Sequence, residues 1–190
     1  MDTTPTVNQR ADARRNRKRI LSSARKQFAK QGLDLHVGEV ARDAQVGVGT
    51  VYRHFPCKED LLQALADERF AYFAERAREA LEDTDPWHGF CELLRECGRV
   101  VAEDRALSEA MDKLPTLCAA SAEKVKLNEL TGQLIERAKA DGTMRADFSA
   151  DDVPSLMRGL ARATAPQKSG PPAMTWDRYL EIMLAGLRAQ

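Results

Sequence analysis

The residues best placed to do chemistry lie between positions 42 and 58, and the chemistry they suit is recognition of a polyanion. The run Val48-Gly-Thr-Val-Tyr-Arg-His-Phe55 begins with poor helix formers, and an interior glycine costs about 1 kcal/mol relative to alanine. Propensity therefore does not account for it. Wound at roughly 100° per residue, the segment turns Val51 and Phe55 toward a core and projects Gly49 and Arg53 on the opposite face, with Thr50 and Tyr52 flanking. Small residues followed by hydrogen-bond donors suit a helix pressed into the major groove of DNA. Gly49 lets the backbone approach closely, Thr50 and Tyr52 donate to phosphate, and Val48 meets a thymine methyl. Arg53 and His54 add phosphate contacts or base contacts. Lys58 opens the next helix, where a cation opposes the helix dipole while Glu59 and Asp60 follow the dipole rule. A phosphate there removes the conflict, so Lys58 and the free N–H groups around it form an anion clamp.

Other chemistries find little support. Cys57, Cys91, Cys97 and Cys118, with His36, His54 and His88, show no CxxC pair and no metal-ligand spacing. No metal and no cofactor is expected, and the cysteines read as small packing residues. No nucleophile–base pair or glycine-rich phosphate loop points to an enzyme. The chain of 190 residues is 43% hydrophobic and 31% charged, a composition for one or two globular domains. No apolar run approaches the roughly 18 residues of a membrane span, and no signal peptide opens the sequence, so no membrane partner and a cytoplasmic location are expected. The net charge of zero hides a division. Up to Lys58, twelve basic residues face five acidic ones, a net of +7; the remainder holds 17 basic and 24 acidic residues, a net of −7. A basic module is joined to an acidic one, as in a polyanion binder whose second domain does not touch the polyanion.

The elements that would position these residues are all helical. Residues 1–13 read as a mobile arm leading into the basic cluster Arg14-Arg15-Asn16-Arg17-Lys18-Arg19. Ile20, Ala24 and Phe28 then recur every four residues, with Leu21 beside them, and Gly32 closes this first helix. His36-Val-Gly-Glu39 has the spacing of a capping box before a short second helix with Val40, Ala41 and Ala44 on its apolar face. Gln45-Val46-Gly47 forms a tight turn, and Pro56 stops the third helix after Phe55. Two short helices around a three-residue turn make a helix-turn-helix. A long amphipathic helix is predicted from Lys58 through about Glu82, and further helices over Pro86–Asp104, Leu107–Lys113, Pro115–Asp141, Asp151–Thr164 and Thr175–Ala189. No Val/Ile/Thr-rich alternation is long enough for a sheet.

The run Val40-Ala-Arg-Asp-Ala-Gln-Val-Gly-Val-Gly-Thr-Val-Tyr-Arg-His-Phe-Pro-Cys-Lys-Glu-Asp-Leu-Leu62 closely resembles the signature of the TetR family of bacterial transcriptional regulators, over about residues 14–65. The resemblance implies an all-α fold: a three-helix DNA-binding domain over 14–62, joined to a larger helical domain over 63–190 for ligand binding and dimerisation. It implies that Thr50, Tyr52, His54 and Lys58 hold phosphates, that Val48, Gly49 and Arg53 lie at or near bases, and that Arg42 supports the backbone from the second helix. Three positions depart from the usual pattern. Gln45 stands where a turn glycine is common and either reads a base or simply occupies the turn. His36 and Cys57 replace Thr or Ser at cap positions, each cap being worth about 1 kcal/mol.

Beyond residue 65 the resemblance is architectural. By analogy with the fold, the last two helices pair with their symmetry mates in a homodimer, offering Leu156, Leu160, Tyr179, Ile182, Met183, Leu184 and Leu187, with Gly159 and Gly186 permitting close approach. An effector cavity is expected between the helices of Pro86–Asp141, lined by Trp87, Phe90, Leu94, Met111, Leu114, Leu117 and Leu134. The function this describes is a repressor that binds double-stranded operator DNA as a dimer and leaves it when a small molecule, of unknown identity, binds.

Overall fold

The computed structural model describes residues 7–114, 121–165 and 174–189. Every element within them is helical, and two residues, Met144 and Arg188, make an isolated antiparallel bridge. The chain divides into two compact units, 1–66 and 67–190, four residues beyond the boundary expected from sequence.

The first unit holds α1 (Val7–Gln31), α2 (Val37–Asp43), α3 (Val48–His54) and the start of α4 (Lys58–Ala80). The periodic residues of α1 behave as their spacing dictates: Ile20, Leu21, Ala24 and Phe28 are all buried. The helix itself begins earlier than sequence suggested, because Ala11 and Ala13 favour helix and nothing between Val7 and Arg14 breaks it. The arm expected over 1–13 is helical from Val7, and its first six positions lie outside the described residues. Ser23, buried within α1, donates its hydroxyl to the Val40 carbonyl at 2.9 Å and so ties α1 to α2.

The capping box expected at the start of α2 does not form. His36 occupies the cap position without a side-chain hydrogen bond, and Glu39 instead accepts from the side chain of Gln31. The end of α2 is better made. The Gln45 N–H donates to the Arg42 carbonyl at 3.1 Å and the Val46 N–H to the Ala41 carbonyl at 3.0 Å, the paired bonds of a Schellman motif. That motif needs a left-handed residue, and Gln45 supplies it with φ of 53°. A side chain there costs about 1 kcal/mol or somewhat more. Arg19 offsets part of this by donating to the Gln45 side-chain oxygen at 3.1 Å and to its carbonyl at 3.4 Å.

The second unit contains the rest of α4, then α5 (Pro86–Glu103), α6 (Arg105–Lys113), α7 (Ala122–Ala140), α8 (Val153–Ala163) and α9 (Trp176–Leu187). Helix α5 is its most deeply packed element. Asp85 caps it by accepting the His88 N–H at 3.0 Å, with Pro86 in the first turn. Phe90 meets Phe148 edge to face at 5.9 Å, and the Arg188 guanidinium lies 5.0 Å from the Trp87 ring. Helix α7 starts at Ala122, because Ser121 takes the cap position and accepts the Lys124 N–H at 3.3 Å; Pro115–Ala120, expected within this helix, lie outside the described residues. The packing of α8 and α9 corrects one expectation. A Cβ on Gly159 would come within 2.6 Å of the Tyr179 hydroxyl, so this glycine serves a close approach inside the chain. Leu160, Leu184 and Leu187 are likewise buried within the unit.

Two expected outcomes follow from these local arrangements. Replacing Gln45 with glycine should raise stability to chemical denaturation by up to about 1 kcal/mol; a fall would mean that the Arg19 link outweighs the left-handed strain. The second concerns His88, whose imidazole lies 2.6 Å from Asp83. Hydrogen bonding to Asp83 holds His88 above its ordinary value of 6.5 and holds Asp83 below its ordinary 3.8. The stability that His88 contributes is complete below pH 6.5 and is lost as pH rises through the raised folded value. In an NMR titration the Asp83→Asn variant should bring His88 back toward 6.5, and an unchanged titration would rule out the pair as the cause.

Candidate nucleic-acid interface and ligand cavity

Two buried side chains fix the orientation of α3. Val51 faces inward, and Phe55, just past its last turn, is also buried. The Arg17 guanidinium from α1 lies 5.3 Å from the centre of the Phe55 ring, a cation–π contact that clips the end of α3 to α1. The opposite face is left outward. Val48 is 45% and Tyr52 48% exposed, Gly49 and Arg53 are exposed, and Thr50 and His54 are half-buried. A Cβ built on Gly49 meets no atom within 4 Å, so nothing inside the chain requires a glycine there.

Arg42 on α2 and Gln45 in the turn are exposed, and Lys58 is half-buried at the start of α4. No carboxylate of the described residues forms an ion pair with Arg42, Arg53 or Lys58. All nine residues expected to touch DNA thus belong to α2, the turn, α3 and the first residue of α4. Where an anion clamp is expected at Lys58, a carboxylate is already present: Asp60 accepts the Cys57 N–H at 3.2 Å and lies 3.1 Å from the Cys57 thiol. Hydrogen bonding to Asp60 pushes the thiol above its usual range, which keeps it protonated. Sequence reasoning missed Arg17 and Arg19, members of the basic cluster that brace the helix-turn-helix instead of standing free. At roughly 100° per residue Arg17 falls on the same side of α1 as Ile20, Ala24 and Phe28, which is a sequence signal for its contact, whereas the spacing of Arg19 gives none.

The second unit contains a partly open cavity of about 200 Å³. Leu94 and Met111, two of the residues expected around a ligand, are in its wall. Trp87, Phe90 and Leu134 pack instead in the buried core, Leu114 is half-buried outside the wall, and Leu117 lies outside the described residues. The polar part of the wall went unforeseen. Arg69, on α4, is only 6% exposed; it pairs with Asp104 at 2.8 Å, donates to the Ser108 hydroxyl at 2.9 Å, and lies 3.8 Å from the Met111 sulfur. A signal for it exists in the sequence, since Leu62, Ala66, Arg69, Phe73 and Ala77 follow the spacing of a buried helical stripe with one cation inside it.

A helix-turn-helix with an outward-facing third helix, followed by a larger helical unit with a cavity, defines a class of DNA-binding regulators. Comparison with known proteins narrows this. Residues 20–65 match the bacterial regulatory proteins of the tetR family, and residues 85–189 match the C-terminal domain of SbtR-like transcriptional regulators. The chain is 33% identical over 138 residues to the HTH-type transcriptional repressor KstR of Mycolicibacterium smegmatis, covering 70% of this chain and 68% of that one. KstR of Mycobacterium tuberculosis is 30% identical over 138 residues, or 70% of this chain and 63% of the relative. The crystal structure of a TetR transcription regulatory protein from Mycobacterium vanbaalenii superposes with a TM-score of 0.65 at 32% identity, covering 95% of this chain and 99% of the other. The chain belongs to the tetR family of bacterial regulatory proteins. It is a DNA-binding transcriptional regulator and not an enzyme. No helix of the described residues is long and apolar enough to cross a membrane.

The vacant space around Gly49 generates a two-sided expectation. Gly49→Ala should raise folding stability by roughly 0.5–1 kcal/mol, since helix propensity improves and no clash arises, while operator affinity falls. Denaturation and DNA titration on the same variant separate the two effects. Unchanged affinity would show that α3 does not approach the duplex closely at this position.

Proposed function

We propose that this protein is a ligand-responsive transcriptional repressor that binds a near-palindromic operator as a homodimer and is released by a small molecule held in the second unit. The observation that carries the reading is the exposed surface of α3: Gly49 and Arg53 opposite the anchors Val51 and Phe55, with Tyr52 on the flank and Val48 exposed at the start of the helix. In this role Thr50, Tyr52, His54 and Lys58 hold phosphates, Val48, Gly49 and Arg53 meet base edges, and Arg42 supports the backbone contact. Gln45 serves chiefly as the turn residue, its side chain being held by Arg19.

Dimerisation is assigned to α8 and α9. Arg178, Glu181, Ile182, Ala185 and Gly186 lie exposed along one side of α9, with Ile182 50% exposed, and the small residues suit a close helix crossing. A two-fold dimer then reads two half-sites about one helical turn, roughly 34 Å, or a multiple of it apart. Effector binding favours a dimer conformation whose recognition helices no longer match that spacing. The names of the KstR relatives, both transcriptional repressors, support repression as the mode of action.

Binding to the DNA upstream of the protein's own gene, followed by fluorescence anisotropy across a salt series with a scrambled duplex as control, tests the reading. Tight, salt-steep binding that prefers the upstream DNA is expected, with Tyr52→Ala weakening it and Lys58→Ala reducing the salt slope by about one. Equal affinity for both duplexes, unaffected by either substitution, would overturn it.

A further inference from the structure

We propose that the cavity of the second unit selects an organic acid: an apolar body of about eight heavy atoms or somewhat more, carrying a carboxylate that Lys124 and Arg158 hold. The inference rests on the reading of this unit as the effector domain and names the chemistry of its ligand.

The cavity wall is mostly apolar, with Phe70, Phe73, Leu94, Val101, Leu127 and Met157 among its residues. Four charged side chains join them: Arg69, Asp112, Lys124 and Arg158. Two of these are already answered. Arg69 is bound by Asp104 and Ser108, and Asp112 accepts from Arg162 at 2.5 Å. Lys124 and Arg158 are different. Among the described residues neither has a carboxylate within ion-pairing distance, and Arg158 donates only to the Ser155 hydroxyl, at 2.9 Å. Nor does the sequence of 115–120 or 166–173 contain any Asp or Glu that could reach them.

This cationic lining runs against its surroundings. The chain after Lys58 carries a net charge of −7, yet three of the four charged residues in the wall are basic. A ligand cation would meet unanswered positive charge, and a neutral ligand would leave the half-buried Lys124 and the exposed Arg158 unpaired. A carboxylate satisfies both and presents the planar geometry that a guanidinium binds through two parallel hydrogen bonds. Size sets the body. An engineered cavity of about 150 Å³ takes a benzene ring, and the space here is about 200 Å³. A neighbouring cavity of about 190 Å³ shares Val101, Ser108, Asp112, Arg158 and Ala161 with it, so Arg158 stands at the wall common to both.

Isothermal titration of the full chain with octanoate, 1-octanol and octylamine tests this at constant chain length. Octanoate should bind about tenfold more tightly than octanol, with octylamine weakest, the factor expected for a charge-assisted hydrogen bond in a partly screened site. Lys124→Gln and Arg158→Gln should each remove most of that advantage and leave octanol affinity and the melting temperature unchanged. Octanoate binding no tighter than octanol, absence of binding by octanoate, or an advantage that survives both substitutions would overturn the proposal. Operator release, followed separately by anisotropy, distinguishes this from failure of the effector reading. Octanoate that binds with the expected preference but leaves the operator complex intact supports the site and counts against the effector role; octanol that releases DNA as well as octanoate does overturns the acid preference and upholds that role.

Discussion

A seven-residue helix that begins Val-Gly-Thr-Val does not hold itself together in water, because the cost of nucleation is spread over too few hydrogen bonds. Helix α3 exists because the first unit takes Val51 and Phe55 into its core. Those two positions, four residues apart, determine everything presented on the other side. Given them, helical geometry turns Gly49 and Arg53 outward with Tyr52 on the flank, while Val48, in register with the anchors, is exposed as the first residue of the helix. The direction from which α3 leaves α2 depends on a second constraint, the left-handed backbone at Gln45. The buried Ser23 hydroxyl on the Val40 carbonyl and the Arg17 guanidinium over Phe55 then tie both short helices to α1. The exposed face of α3 is a by-product of packing on its reverse side, and its poor helix formers are tolerated because tertiary contacts carry the helix.

This explains why the first unit was legible in sequence. Local signals and the fold agree there: Ile20, Leu21, Ala24 and Phe28 are spaced for one buried face, Pro56 stops α3, and Gln45-Val46-Gly47 marks a turn that hydrogen bonds confirm. Where sequence reasoning went astray, a side chain had two local options and tertiary structure chose. Glu39 has the spacing to cap α2 but turns to Gln31. The residues between Val7 and Arg14 look like an arm because they lack apolar period, yet the helix continues through them. Gly159 was matched to a partner surface, whereas the Tyr179 hydroxyl of the same chain fills the space in front of it.

The cavity was much harder to read. Its wall draws on α4, α5, α6, α7 and α8, and no window of sequence holds those residues together. Apolar residues in an amphipathic helix do not declare whether they face a void or another side chain. Leu94 and Met111 border the cavity, while Phe90 packs edge to face on Phe148 and Trp87 stacks under Arg188. The polar residues offered the better clue. A cation such as Arg69 in a buried stripe must have partners, since a charge stranded away from water costs several kcal/mol. One arginine among the small and apolar residues of that stripe is thus the local sign of a polar feature inside the second unit.

The thiols show the same dependence of chemistry on surroundings. Cys97 is a cavity-wall residue, and a reactive thiolate beside a bound molecule would suggest covalent sensing. Burial pushes it up to about 12 and also raises Cys91, while Asp60 raises the exposed Cys57. A thiol attacks or oxidises through its thiolate, and selective reactivity requires a lowered value, an electropositive neighbourhood and access. None of the three described cysteines meets all of these conditions: apolar packing raises Cys91 and Cys97, and an adjacent carboxylate raises Cys57 although it is exposed. Cys97 therefore acts in the cavity as a small apolar surface. The polar chemistry of the wall is left to the charged side chains around it.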